Sequence, residues 1–186
     1  MGRKSSHRMG CGQHHDPPSA ARTQPATRQF PPHVPHAHEG LHGTVLCERC
    51  HAIWHKKRWH LDEVEYAAHL SDPETTRGIC PGCLAVERQT YDGEVWLRSP
   101  LLTRDHEAIL GLVRNTEALL REHNPLARIA AIEENAGDMR LLTISPFLAE
   151  RIGKELKKAY DGELLVEHVE RERFVRVFWT REDVAS

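Results

Sequence analysis

Apolar positions recur at helical spacing in the second half of the chain and predict its first long helix. Between Thr103 and His123, one helical face carries Ile109, Leu112, Val113, Thr116, Leu119 and Leu120. Thr103 can cap this helix, and Asp105 and Glu107 suit its first turn, where the helix dipole favours negative charge. We therefore expect an amphipathic helix that begins after Thr103.

A second helix is predicted from Ser145-Pro146, a capping residue followed by proline at the first helical position. It runs to about Tyr160 and turns four side chains inward, namely Leu148, Ile152, Leu156 and Ala159. Asp161-Gly162 supplies the signal that ends it.

Strand patterns occupy the remaining parts of residues 99–186. Leu126–Glu133 and Met139–Ile144 are predicted to form a hairpin, with Asn135-Ala136-Gly137-Asp138 as its turn. Two more strands are predicted over Glu163–Val169 and Arg173–Thr180.

The resulting order, α-β-β-α-β-β, is an approximate two-fold repeat of one unit and predicts an α+β domain over residues 99–186. If Glu94–Arg98 is also a strand, the ferredoxin-like order β-α-β-β-α-β is embedded in this domain. The pattern does not predict how the strands pair.

Residues 41–98 contain two Cys-x-x-Cys pairs and predict a separate small module. The pairs are formed by Cys47 with Cys50 and by Cys80 with Cys83. Each pair is predicted to be a tight turn between short extended arms. Between the pairs, the spacing of Leu61, Val64, Ala68 and Leu70 fits one short helix.

The spacing of the four cysteines predicts a zinc ribbon in which all four bind one structural Zn²⁺ ion. Zinc prefers four strong ligands in a tetrahedron, and each turn supplies two sulfurs. Four thiolates close the coordination shell and leave no position for a catalytic water. Rubredoxin-like iron is the minor alternative, because Cys80-Pro81-Gly82-Cys83 is similar to a rubredoxin turn. His51 and Leu84, however, replace the glycines that usually follow each rubredoxin pair.

Four histidines between the pairs could replace a cysteine as ligand: His51, His55, His60 and His69. Surface histidines without a ligand role are the simpler interpretation. A dithiol redox pair is a further alternative, and it is disfavoured because two such pairs coincide.

Composition sets residues 1–40 apart from the rest. They hold six of the 11 prolines and six of the 14 histidines, with almost no aliphatic side chains. Such a segment cannot bury enough apolar surface to offset the entropy of ordering it, so we predict a disordered tail with Cys11 as a free thiol. The tail is weakly basic. It has two interpretations, a segment that contacts nucleic acid and a segment with no specific role.

The net charge, the length of the apolar runs and the motif content of the whole chain narrow the possible classes of function. The formal net charge is −2, so bulk charge does not indicate a nucleic-acid-binding protein. No apolar run approaches the ~20 residues of a membrane helix, and no signal peptide is predicted. Paired cysteines favour the reducing cytoplasm. No phosphate-binding glycine loop, nucleophile elbow or zinc-protease motif occurs, so an enzyme is not predicted.

Two segments are candidates for RNA binding. The first, Trp54-His55-Lys56-Lys57-Arg58-Trp59-His60, combines cations that neutralise phosphates with indoles on which bases stack. The alternative is that Trp54 and Trp59 form a small core beside the zinc ion while the cations are solvated.

The second candidate is the last strand, where Phe174, Arg176 and Phe178 alternate with Val175, Val177 and Trp179. If the valines and Trp179 pack under the helices, the Phe-Arg-Phe row faces outward and can hold bases. Burial of the strand on both sides is the favoured alternative.

Several segments resemble one known family. These are Pro125-Leu126-Ala127-Arg128-Ile129, Leu142-Thr143-Ile144-Ser145, Leu148-Ala149-Glu150-Arg151-Ile152-Gly153-Lys154-Glu155-Leu156 and Ala159-Tyr160-Asp161-Gly162-Glu163-Leu164. Together with the cysteine pairs, over residues 44–180, they resemble the N-terminal region of archaeal and eukaryotic adaptors for export of the large ribosomal subunit (nonsense-mediated decay protein 3-like). Small bacterial zinc-ribbon proteins share this layout.

The resemblance implies zinc ligation by the four cysteines and association with the ribosome or RNA. The adaptors carry more cysteine pairs and later domains with an export signal, which this chain lacks, so export is not implied. The alternative function is a zinc-ribbon protein–protein adaptor, for example in gene regulation.

Overall fold

A computed structural model describes residues 42–135, 137–169 and 173–182 of the chain. These residues form two β-sheets and five helices, so the predicted α+β class is confirmed. The predicted disordered tail over residues 1–40, with Cys11, lies outside the described residues. Within the described ranges, no helix is long and apolar enough to cross a membrane.

The first sheet has four short strands in the order β3-β2-β1-β4. They are β1 (Val45–Cys47), β2 (Ala52–His55), β3 (Arg58–Leu61) and β4 (Thr76–Gly78). Because β1 pairs antiparallel with β2 and parallel with β4, the segments that carry the two cysteine pairs lie side by side. Two seven-residue helices accompany this sheet, α1 (Glu63–His69) and α2 (Pro81–Glu87).

Helix α1 begins where the carboxylate of Asp62 accepts hydrogen bonds from the N–H groups of Val64 and Glu65, both at 2.9 Å. The short helix predicted between the cysteine pairs therefore exists. Its buried residue is Tyr66, however, and Val64 is 82% exposed. A helix of about two turns is too short for its apolar spacing to decide which face packs inward.

The second cysteine pair was predicted to be a turn between two extended arms, and this prediction is wrong because the pair lies at the start of helix α2. Cys80 is the N-cap residue, and its Sγ accepts a hydrogen bond from the N–H of Cys83 at 3.4 Å. Pro81 takes the first helical position, for which its fixed φ is suited. The capping sulfur and the proline together start a helix that buries Cys83 and Ala85.

The second sheet has five strands in the order β6-β7-β5-β9-β8. They are β5 (Gly93–Arg98), β6 (Ile129–Asn135), β7 (Asp138–Thr143), β8 (Glu163–His168) and β9 (Val175–Thr180). The central strand, β5, is antiparallel to β7 and parallel to β9. It covers Glu94–Arg98, which was predicted as a conditional strand of the α+β domain, while the boundary of the cysteine module was predicted after residue 98. A ferredoxin-like β-α-β-β-α-β unit has four strands, whereas here a fifth strand, β9, lies between β5 and β8.

Three helices belong to this second part, namely α3 (Leu101–Arg104), α4 (His106–Arg121) and α5 (Pro146–Tyr160). Thr103 does not cap α4, because it lies within α3, and Asp105 occupies the N-cap position instead. The hydroxyl of Ser99 accepts a hydrogen bond from the N–H of Leu101 at 3.2 Å. The short helix α3 is held in place because Leu101 and Leu102 are buried.

The main core lies between one face of the five-stranded sheet and helices α4 and α5. Its fully buried side chains include Val95, Leu97, Ile109, Val113, Leu141, Leu148, Ile152, Leu156, Val177 and Trp179. Three positions differ from the predicted inward faces: Leu119 and Ala159 are exposed, and Leu110 is buried. Each helix is thus rotated slightly from the face that its apolar spacing predicts.

Candidate metal centre and nucleic-acid surface

The four cysteines lie at the ends of neighbouring elements. Cys47 ends β1, Cys50 follows in the next turn, Cys80 caps α2 and Cys83 lies in the first turn of that helix. The parallel pairing of β1 with β4 sets Cys47 opposite Gly78, shortly before Cys80. This pairing brings together two cysteine pairs that are far apart in sequence.

The four Sγ atoms have the spacing of ligands around one metal ion. Cys47 and Cys83 are 3.8 Å apart, Cys50 and Cys80 are 3.5 Å apart, and all four atoms lie within 4.8 Å of one another. Tetrahedral Zn–S bonds of about 2.3 Å separate the sulfurs by about 3.8 Å. A disulfide would need about 2.05 Å, and all four thiols are free. The cluster can therefore hold a metal ion.

Hydrogen bonds to the sulfurs favour negative charge on them. The N–H of Cys80 donates to Sγ of Cys47 at 3.2 Å, and Nη1 of Arg128 donates to Sγ of Cys83 at 2.9 Å. Hydrogen bonds from Cys50 and Cys80 lower the pKa of Cys47, and the contact with Cys47 raises the pKa of Cys50 to about 11. The same contact, followed by that with Cys50, raises the pKa of Cys80. Adjacent thiolates repel one another, so a bound cation is needed for all four to ionise together.

Arg128 is a contact of the cluster that sequence reasoning missed. It lies 45 residues after Cys83, in the turn that precedes β6. In that turn the N–H of Ala127 donates to the carbonyl of Asn124 at 2.8 Å, so β6 begins at Ile129 and not at Leu126 as predicted. No local pattern marks an arginine that reaches a distant thiolate, so the contact could not be read from spacing.

Both tryptophans of the first RNA-binding candidate lie in the interior. Trp54 and Trp59 are opposite each other in the β2–β3 pair, with ring centroids 5.9 Å apart. They pack in one buried cluster with Val45, Cys47, Ala52, Cys80 and Cys83. A buried indole presents no face to a base, and these two rings instead form the small core beside the cysteines.

The three cations of the same segment lie at the end of the β2–β3 hairpin. We call these three residues the hairpin tip: Lys56, Lys57 and Arg58. All three side chains are exposed. The φ angles of Lys56 and Lys57 are 50° and 64°, in the left-handed region that a two-residue type I′ turn requires. Within the described ranges, none of the three side chains forms an ion pair. The hairpin tip is therefore a small, exposed and unneutralised basic surface.

In the last strand, Val175, Val177 and Trp179 face the helices, and Arg176 and Phe178 lie partly exposed on the opposite face. Phe174 is buried, with the guanidinium of Arg176 5.6 Å from its ring centroid. The predicted outward row of three is therefore reduced to two.

Trp96 is an aromatic residue of this outer face that sequence reasoning missed. It pairs with Phe178 across β5 and β9, and the guanidinium of Arg140 lies 5.0 Å from its ring centroid. Beneath them, the buried carboxylate of Glu94 binds Arg140 at 2.7 Å and Arg176 at 2.8 Å. The alternation of Trp96 with Val95 and Leu97 is the signal that could have revealed it.

The histidines between the cysteine pairs do not join the sulfur cluster. His51 is exposed and stacks on Tyr66, with ring centroids 4.4 Å apart. His60 and His55 contact the two carboxylate oxygens of Glu65 at 2.7 Å and 2.6 Å, and these hydrogen bonds lower the pKa of Glu65 to about 2. His69 lies next to His55, with ring centroids 5.8 Å apart.

Sequence and structure comparisons do not assign the chain to a family. Protein-family models, curated proteins and solved structures were each compared with it, and none matches. The likeness to export adaptors of the large ribosomal subunit thus stays a prediction, and the geometry of the cysteine cluster and of the hairpin tip is the basis on which a function can be assigned.

Proposed function

We propose that the cysteine cluster holds one structural Zn²⁺ ion and that the protein is a non-enzymatic RNA-binding protein associated with the ribosome. The observation that carries the proposal is the exposed hairpin tip, set on strands whose tryptophans pack against the cysteine cluster. A metal ion held by Cys47, Cys50, Cys80 and Cys83 keeps this hairpin rigid, and rigidity lowers the entropy cost of binding.

Zinc suits the donor set better than other metals. Four sulfurs at tetrahedral spacing are typical of zinc and of iron–sulfur sites, and zinc needs no redox partner. Arg128 offsets part of the negative charge that four thiolates and a divalent ion leave on the cluster. Elemental analysis of purified protein should give about one zinc per chain, and iron in its place would favour the rubredoxin-like alternative.

The backbone of the hairpin tip supports a role for its cations. Non-glycine residues in the left-handed region cost roughly 1 kcal/mol each, and Asn-Gly would fill this turn without that cost. Lys56 and Lys57 adopt the left-handed conformation despite this cost, and both side chains are exposed. Phosphate binding is a function that uses them, because ammonium and guanidinium groups displace the counterions of a nucleic acid.

The outer face of the five-stranded sheet supplies stacking groups. Trp96 and Phe178 lie side by side and partly exposed, and a base can stack on such rings. Arg140 and Arg176 are already paired with Glu94, so this face contributes aromatic rings more than charge. Trp54, Trp59 and Phe174 are buried and take no part in the proposed surface.

The decisive experiment compares RNA affinity between two triple variants of the full chain. Lys56→Glu/Lys57→Glu/Arg58→Glu should weaken binding to ribosomal RNA at least tenfold at low salt and flatten its salt dependence. The matched control, Lys154→Glu/Lys157→Glu/Lys158→Glu, changes three exposed cations of α5 and should bind nearly as the parent does. Both variants must keep one zinc per chain. Equal affinity of the parent and the hairpin-tip variant would refute the proposed surface.

Ribosome association is tested separately by sedimentation of a cell lysate through a gradient, with and without RNase. We expect the protein in the ribosomal fractions and its release from them when RNA is digested. The hairpin-tip variant should stay near the top of the gradient, whereas the α5 control should sediment with the parent.

One observation favours the second candidate, a protein–protein adaptor. Leu165 is 54% exposed and lies opposite Phe178 in the β8–β9 pair, so an apolar patch extends across the outer face of the sheet. If the parent binds neither RNA nor ribosomes at low salt, this patch becomes the surface to test. A Leu165→Glu variant should then lose the protein partner.

A further inference from the structure

A second group of metal-ligating side chains lies between the end of β2 and helix α1, apart from the cysteines. One ligand atom each from His55, Glu65 and His69 lies within 4.8 Å of the other two. The three side chains are partly exposed, between 25% and 34%, so solvent and ions reach them. From the sequence, His55 and His69 were considered only as replacement ligands at the cysteine site, and Glu65 was not singled out.

Two elements hold these residues in place. Glu65 and His69 are four residues apart on α1 and therefore share one face of that helix. His55 ends β2, against which α1 packs. Asp62 caps α1 through two hydrogen bonds of 2.9 Å, and the pairing of β2 with β3 fixes the position of His55.

Neighbouring side chains orient the three candidate ligands. His60 contacts Oε2 of Glu65 at 2.7 Å, on the carboxylate oxygen that His55 does not use. Asp72 pairs with Nδ1 of His69 at 3.5 Å. Carboxylates and imidazoles that hold the ligating groups in this way are typical of protein metal sites.

We propose that His55, Glu65 and His69 form a second, open site for a divalent transition metal such as Zn²⁺. Two imidazoles and one carboxylate are a three-ligand set that leaves a coordination position for water or for an outside ligand. Nitrogen and oxygen donors also distinguish this site from the closed sulfur cluster, so the two sites differ in metal affinity and exchange. The rival interpretation is a metal-free bridge in which Glu65 joins two histidines.

The test uses the full chain with its cysteine cluster loaded with one equivalent of zinc. Co²⁺ is then added in excess, and it does not displace zinc from the sulfurs because zinc binds such sites more tightly. An ion that binds the folded chain raises the melting temperature, and at a hundredfold excess over Kd the expected rise is about 5–10 °C. Absence of the intense cobalt–thiolate absorption verifies that the cysteines still hold zinc.

Variants assign the rise to the site. His69→Ala and Glu65→Gln should abolish it, and His123→Ala, which changes an exposed histidine outside the site, should keep it. Each variant is compared with itself with and without cobalt, so any loss of basal stability cancels. Every variant keeps the six histidines of residues 1–40, so a difference between variants does not come from them. An equal rise in all variants, or no rise in the parent, would overturn the proposal.

Discussion

Gly82 occupies a position where any side chain would collide with the turn before β6. A Cβ atom placed there would overlap the carbonyl oxygen of Pro125 and lie 3.3 Å from Cδ of Arg128. Gly82→Ala should therefore lower the free energy of unfolding by about 1–3 kcal/mol, because helix α2 must move away from the turn. Denaturant unfolding of the zinc-loaded chain measures this change.

Gly111 is the matched control for that substitution. It lies within α4, and a Cβ atom placed there would have no neighbour within 4 Å. Gly111→Ala should leave stability unchanged or raise it by up to about 1 kcal/mol, because alanine favours the helix. Similar effects of the two substitutions would mean that the close approach of α2 to Pro125 does not limit stability.

We predict that the two lysines in the turn of the β2–β3 hairpin lower the free energy of unfolding and raise the affinity for RNA. Lys56→Asn/Lys57→Gly puts the preferred residues into the type I′ turn and should raise the free energy of unfolding by about 2 kcal/mol. The same change removes two exposed cations and should weaken RNA binding. Denaturant unfolding and an RNA-binding titration of one sample measure the two effects.

Lys56→Gln/Lys57→Gln separates charge from backbone strain in this hairpin. It removes the same two charges but keeps side chains that tolerate the left-handed region poorly. RNA affinity should fall as it does in the Asn-Gly variant, whereas stability should stay near that of the parent. A Gln-Gln variant that binds RNA like the parent would contradict a role for these charges.

The elements differ in how well the sequence predicts them. The long helices α4 and α5 have enough turns for their apolar spacing to show most of the buried face, including Ile109 and Leu148. The short helices α1 and α2 do not, and their positions depend on Asp62, Cys80 and contacts with other elements. Element length thus sets how much the local pattern can reveal.

At the scale of the whole molecule, the sequence identified the four clustered cysteines but not their surroundings. Cysteine spacing alone marked all four residues of the cluster, because zinc ligands come in paired turns. Trp96 had a local signal in its alternation with Val95 and Leu97, but its pairing with Phe178 on β9 had none. Arg128 reaches Cys83 only because the turn before β6 brings distant segments together. Contacts of this kind carry no local signal in a single sequence.

Loss of the metal should separate the two parts of the chain. Cys47→Ser should reduce the zinc content from about one to near zero and unfold residues 44–88. The main core contains only residues from Val95 onward, so the helical circular dichroism of α4 and α5 should largely persist. Metal analysis and circular dichroism measure these outcomes.

Cys11→Ser is the control for this variant, because it removes the fifth cysteine and none of the clustered ones. Zinc content and helical signal should match those of the parent. Complete loss of helical signal in Cys47→Ser would instead show that the second sheet cannot fold without the metal module.

The position of β5 has a consequence for biosynthesis. This strand leaves the ribosome early, yet Glu94 meets Arg176 on β9 only 82 residues later. At about 5–20 residues per second, translation of that stretch takes roughly 4–16 s, during which the edge of β5 that β9 will cover stays unpaired. All four clustered cysteines precede this interval, so the proposed metal ion can bind the nascent chain before the sheet is complete. Early loading leaves fewer unfolded residues beside the open edge, where a nascent chain is prone to aggregate.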